Sequence, residues 1–270
     1  MRSRGFTLVE LVVVIVVLGI VSVLVSQFLG TGTLLYRDSA EQQRRLAEGR
    51  FVLERLAREL ADAHPMSLRL HDSGTSLAAC VEYVPLRGAG GYLGWVAGRS
   101  SLSLVSGDDF QDSSAAALQV GRRLSVDTLS TADFYQSSLT AASGSLATLT
   151  SVTLPSDPDS DPLASVSLSR PLAQDSSGRR YLVLADSPVA WCRQGTSLYR
   201  YADYAWGWDW SLRVPTGGVL MAQDLGSASG FALTAPSLQA NTQLDVVLSL
   251  TLGDGNALLL NRRLQVNHVP

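Results

Sequence analysis

The sequence predicts an α+β protein in which one long N-terminal helix packs on an antiparallel β-sheet domain. Three observations carry that prediction. The stretch from Leu11 to Val25 is almost wholly apolar, and an amphipathic stripe follows it with no proline before Pro65. Beyond Met66 the pattern changes to period two, with β-rich composition and glycine turns.

The segment from Phe6 to Leu29 is long enough to cross a bilayer, which needs about 20 apolar residues in a helix. Glu10 stands near its start, and Arg2 and Arg4 precede it. An ionised side chain inside a membrane helix costs about 2.5–3.5 kcal/mol even on the lenient insertion scale. Glu10 therefore asks for a reason. The helix contains Gly19 but no proline, and Gly30-Thr31-Gly32 is its expected weak point, each glycine costing about 1 kcal/mol of propensity.

From residue 30 to 64 the helix is amphipathic. Leu46, Gly49, Leu53, Leu56, Leu60 and Ala63 form one stripe, and Arg44, Arg45, Glu48, Arg55, Arg58 and Glu59 the solvated face. Glu41–Arg45 and Glu54–Arg58 have the favourable i,i+4 order, worth a few tenths of a kcal/mol each. Pro65 ends the helix. The whole run from Thr7 to Ala63 reads as one rod, roughly 85 Å long.

The domain then spans residues 65–270. Ala78–Val84, Ser100–Val105, Ala117–Val120, Leu124–Leu129 and Arg180–Ala185 read as strands. Arg87–Gly98 reads as a glycine-rich flexible loop that fails the G-x-G-x-x-G phosphate pattern. Between Tyr135 and Tyr181 no aromatic residue occurs, so this reads as a surface excursion carrying strands at 147–154 and 165–169. Within it Asp157, Asp159 and Asp161 alternate, but the EF-hand pattern fails and a solvated acidic turn is expected, with no metal. Val189–Arg193 and Thr196–Tyr201 form a hairpin about Gly195; Val219–Asp224 and Gly230–Leu233 follow. Leu244–Leu252 and Ala257–Val266 form a second hairpin about Gly253–Asn256. The aromatics Tyr199, Tyr201, Tyr204, Trp206, Trp208 and Trp210 fit either a packed core or a surface that stacks on sugars or bases, which would make the chain a membrane-anchored glycan- or DNA-binding module.

Composition narrows the function classes. Of 270 residues, 46% are hydrophobic, and all 21 basic residues are Arg against 24 acidic ones, giving a net charge of -3. No basic face is concentrated, so no nucleic-acid partner is expected. His64, His71 and His268 show no metal spacing, and no G-x-S-x-G, P-loop or Cys–His arrangement occurs, so neither enzymatic activity nor a cofactor is expected. In a domain outside the cytoplasm Cys80 and Cys192 can pair; the alternative is two separately buried thiols.

Gly5-Phe6-Thr7-Leu8-Val9-Glu10, followed by a Val/Leu run, resembles the class III leader of type IV prepilins and type II secretion pseudopilins. The resemblance implies a pilin-like fold and cleavage between Gly5 and Phe6 by a prepilin peptidase, which removes leader residues 1–5. It further implies N-methylation of Phe6 and retention of the helix. Other major and minor pilins are then partners through that helix, with Glu10 facing a neighbour's terminal amine in the filament. It also implies a single pass through the bacterial inner membrane, with the domain in the periplasm. The Val189–Tyr201 hairpin is similar to a segment of PulJ-like minor pilins. The ending Leu264–Pro270 resembles that of a minor pilin of the mannose-sensitive haemagglutinin (MSHA) pilus. The J-type pseudopilin is the alternative, whereas Glu10 argues against the K-type subunit, which lacks this acid.

Overall fold

The computed structural model describes residues 7–71, 77–106, 117–154, 163–211, 213–234, 242–253 and 255–266. Gly5 and Phe6, the Asp157/Asp159/Asp161 turn and His268 lie outside them.

Helix α1 spans Leu8–Ala61 without a break. Its 54 residues make a rod about 80 Å long. The Gly30–Gly32 segment does not interrupt it: two glycines lower propensity without removing a hydrogen bond, and Thr33 Oγ1 donates to the Gly30 carbonyl at 2.8 Å. In the apolar half the hydroxyls are satisfied in the same way, Ser22 on Leu18 O at 2.7 Å and Ser26 on Val23 O at 2.9 Å. The helix stops short of Ala63, which instead bridges Pro85 as an isolated β pair. His64 Nδ1 then accepts from Met66 N at 3.3 Å, starting a 3-10 turn over Pro65–Ser67.

Two sheets hold the second half of α1. One runs in the order β1 (Arg69–His71), β2 (Cys80–Tyr83), β9 (Val189–Gln194), β10 (Ser197–Tyr201), β11 (Val219–Ala222). The other is β12 (Gly230–Thr234), β13 (Thr242–Thr251), β14 (Ala257–Val266). Val52, Leu53, Leu56, Leu60 and Ala63 share one core with Val81, Trp191 and Leu198 of the first sheet and Leu244, Val246, Leu248 and Leu250 of the second. The predicted stripe is therefore the packed face, widened by Val52. Gly49 belongs to it because a Cβ there would collide with the methyls of Leu260 and Leu250. Both predicted hairpins form, Gly195 turning the first at φ +58° and Gly255 the second at φ +83°.

The remaining strands close into a six-stranded barrel: β3 (Leu86–Tyr92), β4 (Ser101–Ser106), β7 (Leu163–Leu168), β6 (Leu146–Thr153), β5 (Arg123–Ser125) and β8 (Arg180–Leu184). This corrects three sequence expectations. Residues 87–92 of the glycine-rich stretch lie in strand β3 rather than a loop, because neighbours leave no room for side chains at Gly88 and Gly90. A Cβ on Gly90 would lie 2.6 Å from Val105 O, and one on Gly88 2.7 Å from Ala117 Cβ. Residues 93–98 form a loop as expected, with Gly94 (φ +75°) and Gly98 (φ +74°) in the left-handed region. The aromatic-free region supplies barrel walls rather than a surface excursion: Ala147, Leu149, Ala164, Val166 and Leu168 point into a core of their own. Ala117–Val120 is not a strand: Ala117 is helical and 118–120 lead into a turn. A short helix α2 (Thr131–Phe134) plugs the seam with Phe134, which is fully buried.

Candidate functional site

The first half of α1 is bare. Its large apolar side chains from Leu8 to Leu29 are each 46–78% exposed, and none of the other described residues covers them. Such a surface suits lipid or other apolar helices as its surroundings. Glu10 is satisfied locally within it. Thr7 N and Thr7 Oγ1 both donate to Glu10 Oε2, at 3.1 and 3.0 Å, while Glu10 N donates to Thr7 Oγ1 at 3.3 Å. This capping box closes the helix start and places a carboxylate beside the positive end of the helix dipole.

At the other end, the helix is locked to the sheet by a carboxylate that sequence reasoning assigned to solvent. Glu59 accepts hydrogen bonds from Tyr83 Oη, from Trp191 Nε1 at 3.2 Å and from Arg200 Nε at 2.9 Å on both oxygens. Arg55, one turn back, adds a fourth donor at 3.1 Å. Burial pushes the Glu59 carboxyl up, but the Tyr83 and Arg200 donors outweigh it and hold it below the ordinary carboxylate value. Glu54 likewise leaves its expected partner Arg58 for Arg262 of β14 at 2.8 Å, and Glu41 caps Gly253 N at the hairpin tip. Arg45 pairs with Asp224 and Glu48. Helix charges thus bind the domain as well as one another: Arg45–Glu48 and Arg55–Glu59 pair within α1, while Arg45, Glu54 and Glu59 also reach Asp224, Arg262 and Arg200.

A second carboxylate, Glu82, is fully buried under the aromatic cluster. Arg69 Nε at 2.6 Å, Tyr204 Oη at 2.7 Å and the His71 ring at 2.7 Å surround it. Burial raises its pKa, but these partners more than offset that and keep it low. His71 stacks on Trp210, whose other neighbours are Tyr201 and Tyr204. This wall covers Cys80 and Cys192, which face each other across β2 and β9 with Cα atoms 4.1 Å apart and form a disulfide. Trp206 lies over the Arg123 guanidinium at 4.1 Å and Trp208 over that of Arg213 at 5.4 Å. The aromatics are therefore largely packed among the chain's own groups. Burial, with Arg170 nearby, pushes Arg123 down to about 10, and it donates to the carbonyls of Phe134 at the end of α2 and Gln136 just beyond it.

His64 and Ser125 approach to 3.5 Å but do not make a nucleophile–base pair. Nδ1 already accepts from Met66 N, so the ring proton sits on Nε2 and faces the hydroxyl. Among the described residues no group of three His, Cys, Asp or Glu side chains is arranged to hold a metal.

A bare apolar helix with a carboxylate in its first turn, its second half clamped to a β domain, is an architecture consistent with membrane anchoring. The sequence comparison agrees and goes one step further. Residues 1–26 match the family model described as the prokaryotic N-terminal methylation motif, which supports a type IV pilin-like or pseudopilin protein with a leader cut by prepilin peptidase. No curated protein and no solved structure matches the chain.

Proposed function

We propose that the chain is a minor pilin resembling MshO of the MSHA pilus, a structural subunit that primes or caps filament assembly and has no catalytic role. In this reading prepilin peptidase cuts between Gly5 and Phe6, Phe6 is N-methylated, and the helix crosses the inner membrane once with the β domain in the periplasm. The observation that carries it is the methylation motif at 1–26 leading directly into an uncovered apolar helix. Cleavage would leave 19 basic and 24 acidic side chains, and Glu10 as the fifth residue. The Thr7–Glu10 capping box is then a resting arrangement, and in the filament the carboxylate would exchange the Thr7 donors for a neighbour's terminal ammonium. Both states keep the charge compensated, as a membrane position demands. The leader is shared with type II secretion, and the Val189–Tyr201 segment, a hairpin here, is similar in sequence to PulJ-like minor pilins, so a J-type pseudopilin is the second reading.

The test is Glu10→Ala in cells that express the pilus. The variant is expected to insert in the membrane at the parental level and to lose assembly. Parental piliation in that variant would remove the role assigned to Glu10.

A further inference from the structure

A cleft of about 600 Å³ opens between the barrel and the end of α1. One wall is the segment after β5, with Ser125, Asp127 and Thr128; the other is the turn into β8, with Gly178 and Arg180; His64 closes the base. Its size suits a small molecule, and it sits where two separate cores meet, a common place for ligand sites.

Two opposite charges line this cleft without meeting. Among the described residues neither Asp127 nor Arg180 belongs to an ion pair. Asp127 is held in place: Gln174 Nε2 donates to it twice, to its main-chain oxygen at 2.7 Å and to Oδ2 at 2.9 Å. Arg180 is exposed at the rim, and its guanidinium is free to turn toward a ligand in the cleft. Both walls also carry backbone in the left-handed region, at Asp127 (φ +52°) and at Arg179 (φ +51°) between the lining residues Gly178 and Arg180. Conformations of that kind in residues other than glycine gather at sites where geometry serves a ligand.

We propose that this cleft binds a small zwitterion, an α-amino acid or a short peptide with free ends, with Arg180 holding its carboxylate and Asp127 its ammonium. A guanidinium can grip a carboxylate through two parallel N–H donors, and the second Asp127 oxygen is open to an ammonium. A simple anion would meet Asp127 and a simple cation would meet Arg180, so the pair of charges selects against both. The Ser125 and Thr128 hydroxyls, hydrogen-bonded to each other at 2.8 Å, add neutral polar contacts at the base.

The experiment is isothermal titration of the detergent-solubilised full chain with L-alanyl-L-alanine, alongside its uncharged analogue N-acetyl-L-alanyl-L-alanine amide. Saturable binding is expected for the free dipeptide, with affinity about tenfold or more weaker for the capped analogue and for Arg180→Gln and Asp127→Asn. Asparagine tolerates the left-handed backbone, so Asp127→Asn keeps the loop; should its melting transition shift, Arg180→Gln decides alone. No saturable binding of the dipeptide, or equal binding by the capped analogue or by Arg180→Gln, overturns the proposal.

Discussion

Tyr83 donates its phenolic hydrogen to Glu59 across the seam between α1 and the five-stranded sheet. With Trp191 and Arg200 completing the site, this one carboxylate fixes both the axial position and the rotation of α1 on the domain. The bare half of the same helix is thereby aimed by contacts made about thirty or more residues further along the chain. In a protein that packs through its N-terminal half, that coupling sets which helix face meets a neighbour.

Glu59→Gln should destabilise the domain by about 2 kcal/mol or more, because Arg200 loses its partner in a largely buried site. Arg55→Ala, whose side chain is 45% exposed, should cost no more than about 0.5 kcal/mol. Urea unfolding of the detergent-solubilised chain compares the two.

Acid should unfold the protein earlier than an average carboxylate content implies. Glu59 and Glu82 both lie below the ordinary value of 4.5 when folded, so the unfolded chain takes up protons first as pH falls. The stability they contribute is complete above that value and is lost as pH drops below it. The urea midpoint is therefore expected to be nearly flat from about pH 7 to 5 with respect to these groups and to fall below about pH 4.5. The fall should be shallower in Glu82→Gln, although that variant starts from a lower midpoint.

Gly90→Ala should damage the barrel, since the new methyl would lie 2.6 Å from Val105 O and 2.7 Å from Tyr181 Oη. A cost of about 2–3 kcal/mol is expected. The adjacent Gly91→Ala meets nothing closer than 3.7 Å and should stay within about 0.5 kcal/mol of the parent. Thermal melts of the pair separate a close-packed glycine strand from a flexible loop.

Replacing both Cys80 and Cys192 by Ala should cost about 3–5 kcal/mol, given the sequence separation of 112 residues. Both sulfur-bearing residues are buried, so thiol reagents after mild reductant should label the native protein far more slowly than the urea-unfolded chain.

How much of this was legible follows from where each signal lies in the chain. The leader, the apolar run and the Leu53–Leu56–Leu60 stripe are local patterns and can be read directly. So are the hairpins, where Gly195 and the Gly253–Asn256 turn announce themselves. Barrel strands at Ser100–Val105, 147–154, 165–169 and Arg180–Ala185 were legible too, but their closure was not, because it depends on pairing β3 with β8, far apart in the sequence. Gly90 looks like a turn residue until Tyr181, 91 positions on, occupies the space beside it. Glu59 was assigned to solvent because its main partner, Arg200, is 141 residues away, and helix periodicity shows nothing at that range. The Asp127–Arg180 cleft is invisible for the same reason.

The measurement that bears most directly on the account is intact mass and N-terminal fragmentation of the mature protein from cells with active prepilin peptidase. The account predicts a chain that begins at N-methylated Phe6, with residues 1–5 removed. A mature chain that retains Met1–Gly5, or begins at an unmodified residue downstream of the apolar helix, would contradict it.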